Sequence, residues 1–207
     1  MINLRDRKLL ILTFDDGPSD EYTPRVLAAL EKANARATFF VMGSKVAGRE
    51  HLLRRMAQDG CEIGCHMWNH EFITRDPEVI RDSLGRTREA IRAASGVSPV
   101  LMRPPGGVSS PESLELVSQM NLGIICWNVD PSDWDTLDTA STVEHVLANA
   151  ADGKIVIMHD IYEPTARAAE ILIPELVSQG YELVSVSEAA AARGGITPGK
   201  IAYAFYK

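Results

Sequence analysis

The sequence predicts an α/β fold in which about seven parallel strands, alternating with helices, form a distorted barrel. Short apolar runs alternate with helical patterns along the whole chain, which is typical of βαβ units with right-handed crossovers. No glycine-rich phosphate loop follows the first run, which argues against a nucleotide-binding or dinucleotide-binding fold. Seven such units favour a barrel with a gap over an open, doubly wound sheet.

The predicted elements follow from these patterns in chain order. The first strand, residues 8–14, is a continuous apolar run that stops before Gly17-Pro18, as expected of a strand buried on both faces. Similar runs predict strands at 37–42, 61–65, 99–102, 122–127, 154–158 and 182–186. Helical spacing, often closed by a glycine, predicts helices near 24–34, 48–59, 76–95, 111–120, 141–151, 165–179 and 187–193.

Composition limits the number of domains and the class of partner. The chain has 207 residues, of which 45% are hydrophobic, enough for one sizeable core, so we expect a single domain over 1–207. We also expect this domain to be a monomer. The net charge is −7 without a cluster of Lys and Arg, which argues against binding to nucleic acid or an anionic membrane. The sequence shows neither a membrane span nor a signal peptide. Localisation stays open between the cytoplasm and, for a trimmed catalytic domain, the outside of the cell.

Two adjacent carboxylates, Asp15 and Asp16, follow the first predicted strand directly. They are expected at the C-terminal edge of the parallel strands, where α/β folds build their active sites. Two like charges this close resist joint ionisation, so the pair requires a metal ion or a shared proton.

The third predicted strand is followed by two histidines four residues apart, His66 and His70. Together with one aspartate they would supply three ligands to zinc or cobalt and leave positions open for water and substrate. The same two histidines could instead simply cap or solvate a loop. Cys61 and Cys65 raise the alternative of a thiolate ligand, but we favour buried thiols because both share a strand face with Ile63.

Further polar clusters follow the next three predicted strands. Arg103 precedes a rigid Pro-Pro-Gly-Gly turn, residues 127–134 combine aromatic and acidic side chains, and His159 ends the sixth strand. Each cluster alone is compatible with an ordinary turn or a packed loop. Five such clusters at one edge of one sheet indicate an active site.

Taken in order, these clusters resemble the five motifs of the polysaccharide deacetylases, carbohydrate esterase family 4, which share the NodB homology domain. The resemblance covers nearly the whole chain and implies a NodB-like barrel. It implies that Asp15 is the general base and that Asp16, His66 and His70 bind the metal. It also implies that Arg103 orients the base.

The remaining motifs imply roles for residues around the acetyl group. The backbone N–H of Gly106 would contribute to the oxyanion hole, and His159 would be the general acid, tuned by Asp133. Trp134 and Ile157 would line the pocket that receives the acetyl methyl. Three features depart from the family pattern: Met67 stands where a hydroxyl is usual, Gly106 where Tyr is frequent, and Cys61 and Cys65 where polar residues are frequent.

The resemblance implies a metal-dependent deacetylase that hydrolyses the acetamide of N-acetylglucosamine units in a polysaccharide, either peptidoglycan or chitin oligomers, and releases acetate. The expected metal is Zn²⁺, with Co²⁺ or another divalent ion as alternatives. An O-acetyl esterase acting on xylan, a cyclic-amide hydrolase and a non-catalytic carbohydrate-binding protein remain as alternatives. A structural zinc protein using Cys61, Cys65, His66 and His70 is a further one.

Overall fold

A computed structural model describes residues 4–73 and 76–207, and its architecture confirms the predicted distorted (β/α) barrel. The strands are β1 (Lys8–Asp15), β2 (Thr38–Val41), β3 (Glu62–Cys65), β4 (Leu101–Met102), β5 (Gly123–Ile125), β6 (Lys154–His159), β7 (Tyr181–Leu183) and β8 (Ile201–Ala202). The helices are α1 (Thr23–Lys32), α2 (Glu50–Gln58), α3 (Pro77–Ser95), α4 (Pro111–Gln119), α5 (Asp133–Thr136), α6 (Thr139–Asn149), α7 (Glu163–Ser178) and α8 (Val186–Arg193).

Strand β1 is the centre of the sheet. The order β6-β1-β2-β3-β4-β5-β8 is parallel throughout, and β7 pairs in parallel with the first three residues of β1. Every residue of β1 after Lys8 is buried, because both faces of the strand are covered. Alternate residues face two cores: Leu10, Leu12 and Phe14 pack under the helices, whereas Leu9 and Ile11 face the barrel interior.

The barrel closes between β5 and β6 without a regular ladder. After β5 the chain crosses to β6, where the N–H of Val129 donates to the carbonyl of Ile155 (3.1 Å) and the N–H of Ile157 donates to Val129 (3.0 Å). The C-terminal segment adds β8 beside β5, and the N–H of Phe205 donates to the carbonyl of Gly153 (2.7 Å). Strand β8 was not among the seven predicted strands, because it comprises two half-buried residues outside any apolar run.

Side-chain caps explain where several helices begin. Asp76 caps α3, its carboxylate accepting the N–H of Glu78 at 2.8 Å. Asp138 caps α6 by accepting the N–H of Ser141 at 2.6 Å, so this helix starts at Thr139, two residues before the predicted start. No helix in the described parts of the chain is long and apolar enough to cross a membrane.

Candidate active site

The C-terminal ends of the strands open into a cavity of about 570 Å³ that gathers most of the predicted site residues. Eight of the ten predicted residues line it: Asp15, Asp16, His66, His70, Gly106, Trp134, Ile157 and His159. The other two, Arg103 and Asp133, are buried directly behind Asp15 and His159. The parallel direction of the strands brings these residues together, since all but Ile157 follow or end a strand.

Asp16, His66 and His70 form a group suited to holding a metal ion. Their ligand atoms all lie within 4.8 Å of one another. Asp16 Oδ1 is 3.4 Å from His66 Nε2 and 3.7 Å from His70 Nε2. This oxygen is buried and has no hydrogen-bond partner among the described residues, an arrangement that a cation would satisfy. One carboxylate and two imidazoles are the ligand types of catalytic zinc sites.

The backbone carbonyl of Arg103 orients the imidazole ring of His66. His66 Nδ1 lies 2.9 Å from the carbonyl oxygen of Arg103. A carbonyl can only accept a hydrogen bond, so Nδ1 carries the proton and Nε2 keeps its lone pair toward Asp16. Burial lowers the pKa of His66 to about 3, despite the opposing charge of Asp16. The imidazole is therefore neutral, as a metal ligand must be.

The loop that carries both histidines is held without a hydroxyl at position 67. The side chain of Met67 is fully buried in the core, and its carbonyl accepts the N–H of Gly43 at 3.0 Å. The N–H of Trp68 donates to Ser83 Oγ at 2.7 Å. Met67 and His70 both adopt left-handed backbone angles, with φ of 62° and 61°, which folds the loop back so that both imidazoles face Asp16.

Asp15 forms a fully buried ion pair with Arg103. Arg103 Nη1 donates to Asp15 Oδ1 at 2.8 Å and to Thr13 Oγ1 at 2.7 Å, and neither charged side chain is more than 2% exposed. The remaining guanidinium donors bind the carbonyls of Ile125 (3.1 Å) and Cys126 (3.2 Å). Arg103 is thus fixed by strand ends on both sides and holds Asp15 at the cavity wall.

The ionisation of Asp15 depends on more than Arg103. Burial raises the pKa of Asp15 and outweighs the charge and hydrogen bond of Arg103 and the charge of His159, which lower it. Arg103 therefore favours the ionised form of Asp15, whereas burial favours the protonated form. A divalent cation held beside Asp15 would add to the positive potential that favours the carboxylate.

His159 ends β6 and is paired with Asp133, the first residue of α5. His159 Nδ1 donates to Asp133 Oδ1 at 2.8 Å, while Asp133 Oδ2 accepts the backbone N–H of His159 at 2.8 Å and Thr165 Oγ1 at 2.6 Å. Burial of His159 opposes its charged form, but the hydrogen bond and charge of Asp133, with the charges of Asp15 and Asp16, raise its pKa to about 9. His159 is therefore protonated at neutral pH.

The three cysteines do not join the candidate metal group. Cys61, Cys65 and Cys126 are free and buried. Burial raises the pKa of Cys61 to about 11 and that of Cys65 to about 12, so both remain thiols at neutral pH. The preference for buried thiols over thiolate ligands is consistent with this environment.

Several cavity residues had not been assigned a role from the sequence. Phe72 and Tyr162 line the cavity from the loops that follow His70 and His159, and Trp127 and Asp130 come from the loop of residues 127–134. Asp160, directly after His159, is not among the lining residues; it is a buried carboxyl that accepts a hydrogen bond from Thr23 Oγ1. The aromatic and acidic composition of residues 127–134 indicated Trp127 and Asp130 from the sequence. No hydrophobic periodicity marks Phe72, Tyr162 or Asp160.

Comparison with known proteins decides the family. A family model described as polysaccharide deacetylase matches residues 3–125. The chain belongs to the polysaccharide deacetylase family. This confirms the resemblance drawn from the five motifs.

Individual members of the polysaccharide deacetylase family resemble the chain over most of its length. The peptidoglycan-N-acetylmuramic acid deacetylase PdaC of Bacillus subtilis is 40% identical over 88% of this chain, which spans only 39% of that protein. The chitooligosaccharide deacetylase of a Bradyrhizobium species is 36% identical, with 83% of this chain and 86% of that protein covered. The structure of a family 4 acetyl xylan esterase from Clostridium thermocellum with a cobalt ion superposes with a TM-score of 0.88 at 33% identity, covering 95% of this chain and 98% of that one.

Proposed function

We propose that this protein is a metal-dependent deacetylase that hydrolyses the acetamide of N-acetylglucosamine units in peptidoglycan or chitin oligomers and releases acetate. The observation that carries the proposal is the juxtaposition, in one cavity, of an Asp-His-His metal group with a buried Asp–Arg pair and an Asp–His pair. The names of PdaC and of the chitooligosaccharide deacetylase, both N-deacetylases, support this choice of bond.

The proposed metal is Zn²⁺, held by Asp16, His66 and His70; Co²⁺ is the first alternative because one solved relative contains it. When bound there, a divalent cation supplies Lewis-acid chemistry that lowers the pKa of water and polarises a carbonyl. The buried and otherwise unpartnered Oδ1 of Asp16 supports this ligand set.

Asp15 is the proposed general base. Its carboxylate is fixed at the cavity wall by Arg103, which leaves Oδ2 on the side of His66 at 3.9 Å from Nε2. From this position Asp15 takes a proton from the attacking water. The N–H of Gly106 is the proposed donor to the oxyanion, since the hydrogen bonds of its own turn run from the N–H groups of Gly107 and Val108.

His159 is the proposed general acid. An amine anion is a very poor leaving group, so the departing nitrogen must receive a proton as the carbon–nitrogen bond breaks. His159 is charged near neutral pH because Asp133 raises its pKa to about 9. Its Nδ1 is engaged by Asp133, so Nε2 is the nitrogen that donates. Trp134 and Ile157, which line the same cavity, are the proposed contacts of the acetyl methyl.

The experiment that tests the proposal measures acetate released from peptidoglycan, chitooligosaccharides and acetylxylan. Each substrate is assayed with the purified protein, with the protein after chelator treatment, and after Zn²⁺ or Co²⁺ is added back. We expect release from an N-acetylated substrate that disappears with chelator and returns with metal. Release that is indifferent to chelator, or absent from every N-acetylated substrate, would overturn the proposal.

An O-acetyl esterase is the second candidate, because the acetyl xylan esterase of Clostridium thermocellum superposes on 95% of this chain. The two candidates need the same metal and base but differ in the leaving group. An alkoxide leaves more readily than an amine anion, so the esterase depends less on the general acid. Acetate release from acetylxylan alone would favour this second function.

We further infer that residues 1–207 act as one catalytic domain and as a monomer, which light scattering tests.

A further inference from the structure

An exposed aromatic ring stands at the rim of the cavity, two residues beyond His70. Phe72 is 44% exposed, although a phenyl ring gains free energy from burial. Its centroid lies 6.1 Å from that of the His70 imidazole, with the ring planes at 74°. Phe72 lines the same cavity as the candidate metal group and is therefore placed to touch a bound ligand.

The ring of Phe72 also covers the turn that contains Gly106. A Cβ built on Gly106 would lie 3.2 Å from Phe72 Cε1, which is tighter than an ordinary contact. Gly106 has φ of +61°, a left-handed conformation that favours glycine. The space that a side chain at position 106 would enter is thus taken by an aromatic ring from a different loop.

Further aromatic side chains line the same cavity. Trp134 is 54% exposed, and the ring of Tyr162 lies 6.4 Å from that of His159. The cavity is thus lined both by carboxylates and imidazoles and by exposed aromatic rings. A ligand that suits such a cavity is polar at its edges and apolar on its faces, as a pyranose ring is, because aromatic faces attract the C–H groups of such a ring.

We propose that Phe72 is a specificity-determining residue that stacks on the apolar face of a sugar ring of the bound chain. This inference rests on the proposed deacetylase function. Phe72 does not take part in bond breaking, so its contribution appears in the affinity for saccharide and not in the reaction of the acetyl group.

The test compares Phe72→Ala with the wild type on two kinds of substrate, both with zinc-loaded protein. Removing a phenyl contact is expected to raise KM for tetra-N-acetylchitotetraose about tenfold or more with little change in kcat. Ethyl acetate, which has no ring to stack, should be hydrolysed by both proteins at the same rate. Phe72→Tyr should restore the saccharide KM, whereas Phe72→Leu should restore it only in part.

A matched control is Ile171→Ala, which removes a similarly exposed apolar side chain (50%) from α7, outside the cavity lining, and should change neither KM. The sugar in contact is identified by substrate length. An equal effect on di- and tetrasaccharide assigns Phe72 to the reacting unit, and an effect on the tetrasaccharide alone assigns it to a neighbouring unit. Both results support stacking.

An unchanged saccharide KM in Phe72→Ala would overturn the inference. An equal loss of activity on ethyl acetate would overturn it as well, and so would a rise in the saccharide KM that accompanies loss of bound zinc. Either result indicates a merely structural role. If the wild type released no acetate from any saccharide, the proposed function would fail instead. Calorimetric affinity for the same oligomer, with and without Phe72, would then decide whether the ring binds saccharide.

Discussion

Replacing Asp133 by Asn tests how the acid at His159 is kept charged. Asp133 Oδ2 accepts two donors, the N–H of His159 and the hydroxyl of Thr165, and Oδ1 accepts His159 Nδ1. In Asp133→Asn the amide oxygen satisfies the first two donors, which leaves the NH₂ group facing Nδ1. Nδ1 must then accept a hydrogen bond, so the imidazole is held neutral with its proton on Nε2.

The size of the effect follows from the pKa of His159, which is about 9 with Asp133 in place. Without that carboxylate, burial remains, and the pKa falls to about 6.5 or below. At pH 8 the protonated fraction then drops from about nine-tenths to about 3%, and the rate falls roughly 30-fold. At pH 6 the loss is smaller than at pH 8, because a larger fraction of the variant's imidazole is protonated. A bound divalent cation lowers the pKa of His159 in the wild type and in Asp133→Asn alike. The displacement between their pH–rate profiles therefore reports the loss of the Asp133 charge.

The assay is the pH profile of kcat/KM for acetate release from tetra-N-acetylchitotetraose. We expect the alkaline limb of Asp133→Asn to lie about two pH units below that of the wild type. Thr165→Val is the matched control: it removes one hydrogen bond from the same carboxylate without removing its charge, so its alkaline limb should not move downward. An unmoved limb in a folded Asp133→Asn would refute the assignment of His159 as the acid tuned by Asp133.

The same pKa difference predicts a pH-dependent stability in the metal-free protein. The pKa of His159 is raised in the folded state, so its protonation contributes stability that is fully present below about pH 6.5 and is lost as the pH rises through about 9. We compare the free energy of unfolding of the wild type with that of Asp133→Asn. The amount by which the wild type is more stable should fall by up to about 3 kcal/mol across this window. Urea unfolding at pH 6 and pH 10 measures it, and an excess independent of pH would contradict the pairing.

Three further predictions concern the support of the site. Arg103→Leu leaves the buried Asp15 carboxylate unpaired and should lower the free energy of unfolding in urea by about 3–5 kcal/mol; a loss below about 1 kcal/mol would contradict the buried pair. Gly17→Ala places a Cβ against the Asp160 carboxyl, so the backbone directly after the proposed ligand Asp16 must shift. Zinc binding, measured by calorimetry, should weaken about tenfold. Gly85→Ala, in open space on α3, should leave zinc binding unchanged. Chelator should lower the melting temperature, because a ligand that binds only the folded chain stabilises it; an unchanged value would argue against a metal site formed by folding.

Much of the fold was predictable because parallel strands buried on both faces appear as apolar runs. Residues 9–15 of β1 are all buried, so that strand was located almost to the residue. Strand β8 lacks this signal: Ile201 and Ala202 are half-buried, and hydrogen bonds to β5, not hydrophobic burial, set their position. The short helix α5 was missed because residues 133–136 have no helical apolar spacing.

The site was predictable to the extent that its residues follow strands. The conformation of the loops was not, since Asp16, Met67 and His70 adopt left-handed backbone angles that no apolar pattern encodes. For that reason neither the approach of Phe72 to the cavity nor the burial of Asp160 behind Gly17 could be anticipated. The raised pKa of Asp15 also depends on its depth of burial, which competes with the charge of its partner.

The division of labour between Asp15 and Asp16 is the central claim, and one paired measurement tests it directly. Zinc content and acetate release from tetra-N-acetylchitotetraose are measured for Asp15→Asn and Asp16→Asn beside the wild type. We predict that Asp15→Asn binds as much zinc as the wild type but releases almost no acetate, whereas Asp16→Asn loses both. Near-native turnover by Asp15→Asn, or undiminished zinc in Asp16→Asn, would contradict the account.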